Sequence, residues 1–418
     1  MVAEPGAELG ADQADELGTE MVLDVERVAH GGHCVARYAG RVVFVRHTLP
    51  GEQVRAVVTG VGSGGRFLRA DAVQVLRSVP GRVDRPCPWS GPGRCGGCDW
   101  QHADLALQRE MKAAVVREQF DRLAGLDLAQ LLGREVVVEP VPGDRAGLGW
   151  RTRVEFAVDG TGRPGLRAHR SHEVVRVTDC PIAHPRVLET GVLGRPFPGA
   201  EAVDVIAPSV GEAVVVEVSG GRAAAPTVRE RVPGGPDLEF ALGARGFWQV
   251  HPGAAATFLR TVLDWLEPAP GERALDMYAG VGLFAAALAD AVGEDGAVLA
   301  VERDRTAVGH AQHNLAGRPW VEVRRDRVDR AVRRLTRAQV RADVVVLDPP
   351  RSGAGRAVVR DVAALGPRAV AYLACDPAAL ARDVAYAAEV GYRIRDLRAF
   401  DAFPMTHHIE CIAVLEPR

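Results

Sequence analysis

Cys375 stands in Ala374-Cys375-Asp376-Pro377, between an apolar run, RAVAYLA, and a helical run, AALARDVAYAAEV. A thiol between a strand end and a helix start sits in a positive local field, which favours the thiolate. Such a cysteine can attack an electrophilic carbon; the bland alternative is a small buried hydrophobe. Asp348 ends the run ADVVVLD and is followed by Pro349-Pro350-Arg351-Ser352-Gly353. Each proline ring fixes φ, so this carboxylate is held rigidly at a strand end. Glu410 opens the last apolar run after the turn-like Phe403-Pro404-Met405-Thr406-His407-His408. It is a candidate base. The adjacent histidines point in opposite directions on an extended chain, so they read as orienting groups rather than metal ligands.

A fourth segment, Asp276-Met277-Tyr278-Ala279-Gly280-Val281-Gly282, follows a strand and opens the helix GLFAAALADAV. Glycines at such a turn let the backbone approach a ligand at the carboxyl edge of a sheet. The dinucleotide fingerprint GxGxxG is incomplete here, but Glu302 ends the next strand about 20 residues on, where a carboxylate can bind ribose hydroxyls. That arrangement fits a dinucleotide or S-adenosylmethionine, and the Asp348 and Cys375 motifs favour the methyl donor. A nucleophile, a rigid carboxylate and a base beside a nucleoside-cofactor loop suit one chemistry well. Uracil C5 is too weak a nucleophile to accept a methyl group unaided. Thiolate addition at C6 makes C5 enolate-like, and a base then removes the C5 proton.

These residues need a scaffold. From residue 246 onwards, the runs ERALDMY, AVLAVE, WVEVRR, ADVVVLD, RAVAYLA, YRIRDLRAF and IECIAVLE are separated mostly by helical stretches. Such alternation predicts an α/β fold, a largely parallel sheet covered on both faces. Residues 21–78 show short β-type runs between glycine-containing turns, which predicts a small antiparallel barrel. Arg37, Arg41, Arg46 and Arg55 beside Tyr38 and Phe44 suit an RNA-binding face, or equally an ordinary charged strand face. Residues 79–245 read as a mixed α+β central domain that starts at a cysteine-rich loop and includes the helical stretch LALQREMKAAVVREQFDRL. Residues 1–20, with six carboxylates and no basic residue, read as a disordered tail.

The formal net charge is −3, and removing the six tail carboxylates leaves +3. Any RNA site is therefore a local basic face rather than a global field. Lys112 is the only lysine, which a GC-rich coding bias explains as well as any function does. No apolar run reaches the roughly 20 residues of a membrane helix, and the N-terminus lacks the features of a secretory signal. A cytoplasmic protein, with no membrane association and no obligate protein partner, is expected. Seven cysteines without an export signal point to metal or catalytic roles rather than disulfides. Cys87, Cys95, Cys98 and Cys180 offer four thiolates, which can hold tetrahedral zinc or a [4Fe–4S] cluster. Cys34 and Cys411 read as strand residues.

The C-terminal part resembles the RNA (uracil-5-)-methyltransferase family. The matching residues are Phe247-Trp248-Gln249-Val250, Leu275 to Phe284, Asp348-Pro349-Pro350-Arg351, Cys375-Asp376-Pro377 and His407-His408-Ile409-Glu410. The resemblance implies a Rossmann-like S-adenosylmethionine-dependent domain over residues 246–418, with Cys375 as nucleophile and Glu410 as the base. It implies Gln249, Tyr278, Glu302 and Asp348 as cofactor contacts with the Gly280 loop, and Asp326 as a polar residue against the adenine. The barrel resembles the TRAM RNA-binding domain. Several members carry an iron–sulfur cluster on a cysteine set like this one, although with a shorter first spacing. Leu283 stands where the family often has Asn, and Asp376 where it usually has Asn; Asp376 is expected to point away from the thiol. The implied substrate is a uridine in RNA, with ribosomal RNA favoured over transfer RNA. A cytosine-5 RNA methyltransferase would place its nucleophile after proline, and a radical methylthiotransferase would need CxxxCxxC. A non-catalytic RNA-binding iron–sulfur protein would have no use for an intact Cys375, Asp348 and Glu410.

Overall fold

The computed structural model describes residues 16–220, 225–233 and 238–418. Most of the acidic tail read from the sequence, residues 1–15, lies outside them. The chain divides into two compact units. Of the described residues, one holds those up to 111 together with 167–175 and 405–407; the other holds those in 112–166, 176–404 and 408–418.

In the first unit, β1 (Glu20–Ala29), β2 (His33–Tyr38), β3 (Arg41–Arg46), β4 (Gln53–Val61) and β5 (Phe67–Arg77) close into a barrel of order β1-β2-β3-β5-β4. Side chains alternate across a strand, so β1 buries Met21, Leu23 and Val25 and turns the residues between them outward. All neighbouring strands are antiparallel except β3 and β5, whose parallel pairing closes the barrel. Val43, Val45 and Val54 are fully buried inside. Buried Glu52 is satisfied by Leu49 N–H at 2.8 Å, Thr48 Oγ1 at 3.1 Å and the Arg82 guanidinium, as a buried carboxylate requires.

Helix α1 (Leu105–Ala124) begins in the first unit and ends in the second; α2 (Leu128–Leu132) and the three-residue strand β6 (Val138–Pro140) follow. Strands β7 (Arg153–Val158), β8 (Pro164–Arg167), the two-residue β9 (Val174–Val175), helix α3 (Pro185–Leu188), β10 (Ala202–Ile206) and β11 (Val214–Val218) come next. Within the second unit β11, β10, β7 and β8 pair antiparallel in that order. The hairpin β12 (Thr227–Val232) and β13 (Leu238–Gly243) leads to α4 (Ala254–Leu266).

The remaining elements alternate: β14 (Arg273–Met277), α5 (Leu283–Val292), β15 (Ala297–Glu302), α6 (Arg305–Asn314), β16 (Val321–Arg325), α7 (Val328–Arg337) and β17 (Val344–Leu347). After them come α8 (Arg356–Ala364), β18 (Ala369–Ala374), α9 (Pro377–Glu389), β19 (Tyr392–Asp401) and β20 (Glu410–Pro417). They build one eight-stranded sheet of order β16-β15-β14-β17-β18-β20-β19-β6. The strands are parallel from β16 to β18, and β20 runs against both its neighbours. The central strands β17 and β18 are buried at every position, as strands covered on both faces must be. Helices α4 and α5 pack together against β14, β15, β18 and β20, while α7, α8 and α9 pack in sequence with α9 on β18 and β19. Among the described residues no helix is long and apolar enough to cross a membrane.

Phe258 of α4 is fully buried, with its ring 5.6 Å from that of Phe400 on β19. Phe258→Ala should therefore destabilise this unit by about 3–5 kcal/mol. The shift in the chemical-denaturation midpoint measures it; a loss below about 1 kcal/mol would mean the α4–sheet contact is not the core it looks to be.

Candidate active site

Adjacent strands lie about 4.8 Å apart. The order β15-β14-β17-β18-β20 therefore lays out, strand by strand, Glu302, Tyr278, Asp348, Cys375 and Glu410 along one edge of the sheet. Three of these residues directly follow parallel strands, and Glu302 ends one. Glu410 instead begins a strand, and it shares their edge because β20 is reversed, with Ala374 opposite Cys411. The turns after β14 and β17 flank the point where strand order changes direction, the crevice in which open α/β sheets bind ligands.

The turn after β14 is tightly specified. Tyr278 adopts φ 68°, and its N–H and that of Ala279 both donate to Val301 O at 3.0 Å. Gly280 N–H donates to Glu302 Oε2 at 3.0 Å, while Glu302 Oε1 accepts from the N–H groups of Arg303 and Asp304 at 2.7 and 2.8 Å. Gly282, at φ 94°, leaves only 3.0 Å between an added Cβ and Leu315 Cδ1, so glycine is required for the helix to sit this close. At Gly280 an added Cβ would meet nothing within 4 Å; this face of the loop is open. Beneath it Asp276 is fully buried. Its Oδ2 accepts from Ala285 N–H at 2.8 Å and its Oδ1 has no hydrogen-bond partner among the described residues. Burial, with the nearby charges of Asp348 and Glu302, pushes its pKa up to about 7. An open glycine loop, a ribose-type carboxylate and an orphaned buried oxygen fit a nucleoside cofactor.

The loop after β17 is pinned by a residue the sequence reading passed over. Asp383 of α9 accepts, on one oxygen, from Ala354 N–H at 2.7 Å, Gly355 N–H at 3.1 Å and the Tyr372 hydroxyl. Ala354 N–H also reaches Tyr372 Oη at 2.9 Å. Gly353, at φ 82°, leaves 2.7 Å between an added Cβ and Asp383 Oδ2. The strand before Cys375, the helix after it and the loop after Asp348 are thus tied at one carboxylate. The signal was present: Asp383 lies on the buried stripe Leu380, Asp383, Val384, Ala387 of α9, and a carboxylate on an apolar helical face needs partners.

Cys375 is half-buried and Glu410 is buried. Burial above all, with the charges of Glu410, Asp348 and Asp376, pushes the thiol up to about 11, against the lowering effect of Arg351. The thiolate expected from the helix start is therefore not the resting form. Asp376 caps α9, its carboxylate accepting from Ala379 N–H at 2.8 Å. Burial and the charge of Asp348 hold Glu410 well above the usual carboxylate range, and burial pushes Asp348 up to about 7.

The other residues read from the sequence are placed as follows. Gln249 is half-buried in the segment between β13 and α4. Asp326 is engaged by the Arg334 guanidinium and by Arg327 N–H at 2.8 Å. Leu283 is buried in the sheet's hydrophobic core. His407 belongs to the first unit, with Nδ1 2.7 Å from Asp99 Oδ2; His408 belongs to the second, with its ring 5.8 Å from that of Phe403.

On the barrel, Arg37, Arg41 and Arg55 pair with Glu26, Glu16 and Glu20, and Arg46 lies 3.9 Å from Asp99 with little exposure. Phe44, from the same expected face, stands in a row of aromatic and basic side chains. His33 stands edge-on to Phe44, Phe44 edge-on to Phe67, and the Arg69 guanidinium covers the Phe67 ring at 4.9 Å. Cys87, Cys95 and Cys98 are buried in the first unit; Gly97 N–H reaches Cys95 Sγ at 3.4 Å and Gln101 Nε2 reaches Cys98 Sγ at 3.3 Å. An added Cβ at Gly96 would fall 2.6 Å from the His169 backbone, so the loop is pressed onto that segment. Cys180 is buried in the second unit. Among the described residues, no group of three or more His, Cys, Asp or Glu side chains comes together as a metal-holding set.

Known proteins resemble this chain along its length. Residues 237–418 match the tRNA (uracil-5-)-methyltransferase family and residues 15–73 the TRAM domain. An uncharacterized RNA methyltransferase of Streptomyces avermitilis is 47% identical over 96% of this chain and 99% of its own. A 23S rRNA (uracil(1939)-C(5))-methyltransferase of Chromohalobacter salexigens is 34% identical over 94% of this chain and 88% of its own. The crystal structure of the Pyrococcus abyssi tRNA (uracil-54, C5)-methyltransferase in complex with S-adenosyl-L-homocysteine superposes with a TM-score of 0.66. It covers 94% of this chain and 100% of that one at 23% identity, a likeness of fold. With Glu302, Tyr278, Asp348, Cys375 and Glu410 on one sheet edge and these relatives spanning its length, the chain belongs to the S-adenosylmethionine-dependent RNA (uracil-5-)-methyltransferase family.

Proposed function

We propose that this protein methylates C5 of a uridine in RNA through a covalent Cys375–C6 adduct, with ribosomal RNA as the substrate class. The observation that carries this reading is the row Glu302, Tyr278, Asp348, Cys375 and Glu410 along one edge, beside the open face of Gly280. Gln249, Tyr278, Gly280, Glu302, Asp326 and Asp348 hold S-adenosylmethionine, which supplies the methyl group as an electrophilic carbon on a sulfonium. Cys375 gives up its thiol proton to solvent and Sγ adds to C6, and the electron pair displaced from the C5–C6 double bond makes C5 nucleophilic. C5 forms its bond to the methyl carbon as the bond from that carbon to the sulfonium sulfur breaks, leaving S-adenosylhomocysteine. Glu410 then takes the C5 proton, the C5–C6 double bond reforms and the thiolate leaves. The preference for ribosomal RNA is supported by the TRAM match and by relatives named as 23S rRNA methyltransferases at 30–34% identity.

The test is methyl transfer from labelled S-adenosylmethionine to bulk ribosomal and transfer RNA, followed by nucleoside analysis. Wild type should make 5-methyluridine in ribosomal RNA, and Cys375→Ala none. Glu410→Gln should release product about 10²–10⁴-fold more slowly while a protein–RNA adduct stable to SDS builds up. Formation of 5-methylcytidine, or turnover by Cys375→Ala, would sink the reading.

The resting thiol makes its own prediction. Alkylation of Cys375 by iodoacetamide, followed by peptide mass mapping, should accelerate with pH to an inflection near the thiol's value of about 11. Arg351 lowers that value, so Arg351→Met should move the inflection to still higher pH. An inflection below pH 8 in the free protein would overturn this account of the site.

We also propose that Cys87, Cys95, Cys98 and Cys180 hold a [4Fe–4S] cluster of structural role. Buried thiol donors, two of them reached by N–H groups that stabilise sulfur charge, support it. Protein purified without oxygen should then carry about four irons and four labile sulfides per chain, and Cys98→Ser should lose them. Stoichiometric zinc without iron would replace this assignment.

A further inference from the structure

Lys112 is the only lysine in a chain whose other fixed positive charges are all arginine. The structure places its side chain at 0% exposure. Its ammonium donates to Asp401 Oδ1 at 2.6 Å and to Phe403 O at 3.1 Å. A buried ion pair is weak evidence for stability, because desolvating both charges offsets their attraction. Apolar residues would fill the same space at no electrostatic cost. An ammonium is a compact charge with three freely directed donors, whereas a guanidinium is a wider planar fork. A buried niche in which a carboxylate oxygen and a carbonyl are met from one compact point suits the first.

The position of the niche says what the pair is for. Asp401 is the last residue of β19, and its neighbour Phe400 pairs directly with Glu410 at the start of β20. The residues between, 402–409, are the loop that delivers Glu410 to the sheet edge. Lys112 grips this loop twice at its start, by the side chain of residue 401 and the main chain of residue 403. The Phe403 ring then stands edge-on to Trp150 at 5.9 Å and to His408 at 5.8 Å. His408 lies two residues before Glu410. Cys375, by contrast, is held by β18, α9 and the Asp383 knot, with which Lys112 makes none of the contacts described above.

We infer that Lys112 is a positioning residue for Glu410: it fixes the β19–β20 loop so that this carboxylate faces the C5 proton. The inference rests on the function proposed above. It separates two steps that a general loss of structure would affect together. Adduct formation needs the thiol and the cofactor, while adduct release needs the base.

The experiment uses the full chain with ribosomal RNA and labelled S-adenosylmethionine, and compares wild type, Lys112→Met and the double variant Lys112→Met/Asp401→Leu. The double variant removes the uncompensated carboxylate that the single one leaves buried, so it keeps the test open should the single variant fail to fold. The readouts are the rate at which the SDS-stable methylated adduct forms and the rate at which 5-methyluridine is released. Release should fall on the order of tenfold in both variants while adduct formation stays near the wild-type rate. Equal losses in both steps, or wild-type release by a folded double variant, would overturn the inference and leave the function intact. If wild type itself forms neither adduct nor 5-methyluridine, the proposed function fails and this inference with it.

Discussion

The reversal of β20 is the constraint on which the rest of the site depends. A strand rises about 3.3 Å per residue, so the eight residues of β20 span roughly 26 Å. Run parallel to its neighbours, that strand would leave Glu410 at the far edge of the sheet from Cys375. Run antiparallel, with Ala374 opposite Cys411, it puts a residue from the start of one strand beside a residue from the end of another. The cost is the loop between β19 and β20, which must hold its last residue as firmly as a strand holds its end. Phe403, Trp150 and His408 from one side and the β18–β20 ladder from the other supply that firmness.

Electrostatically, the same edge is a contest between a helix start and desolvation. A helix N-terminus stabilises a nearby anion by under about 1 kcal/mol when exposed, less than the 1.36 kcal/mol that one pKa unit represents. Here the cap position of α9 is already filled by the Asp376 carboxylate, which spends the helix's field on a charge other than the thiolate. Burial and three neighbouring carboxylates act in the opposite direction, and Arg351 only in part restores the balance. The net upward displacement of the thiol follows from those relative sizes.

The C-terminal strands were legible because a sheet covered on both faces needs continuous apolar runs, and those runs match β14 to β20 to within a residue or two. The short β6 was not, since three residues of a distant segment carry no pattern of their own and join the sheet only by pairing with β19. The site residues stood out where backbone demands coincide with chemistry: a glycine turn, a double proline, a strand end followed by Cys-Asp-Pro. Asp383, Tyr372 and Lys112 were missed because a buried polar side chain is explained by its partners, and these lie tens to hundreds of residues away in sequence. The barrel arginines show the same limit in reverse. Arg37, Arg41 and Arg55 meet glutamates across strands and turns, partners that spacing along the sequence does not reveal.

Asp276, Asp348 and Glu410 all titrate above the ordinary carboxylate range. A crevice with three ionised carboxylates would repel a polyanion, and repulsion between unit charges in a low-dielectric cleft is severe. With these values raised, the cleft carries less negative charge towards a nucleic-acid backbone than three ordinary carboxylates would give it.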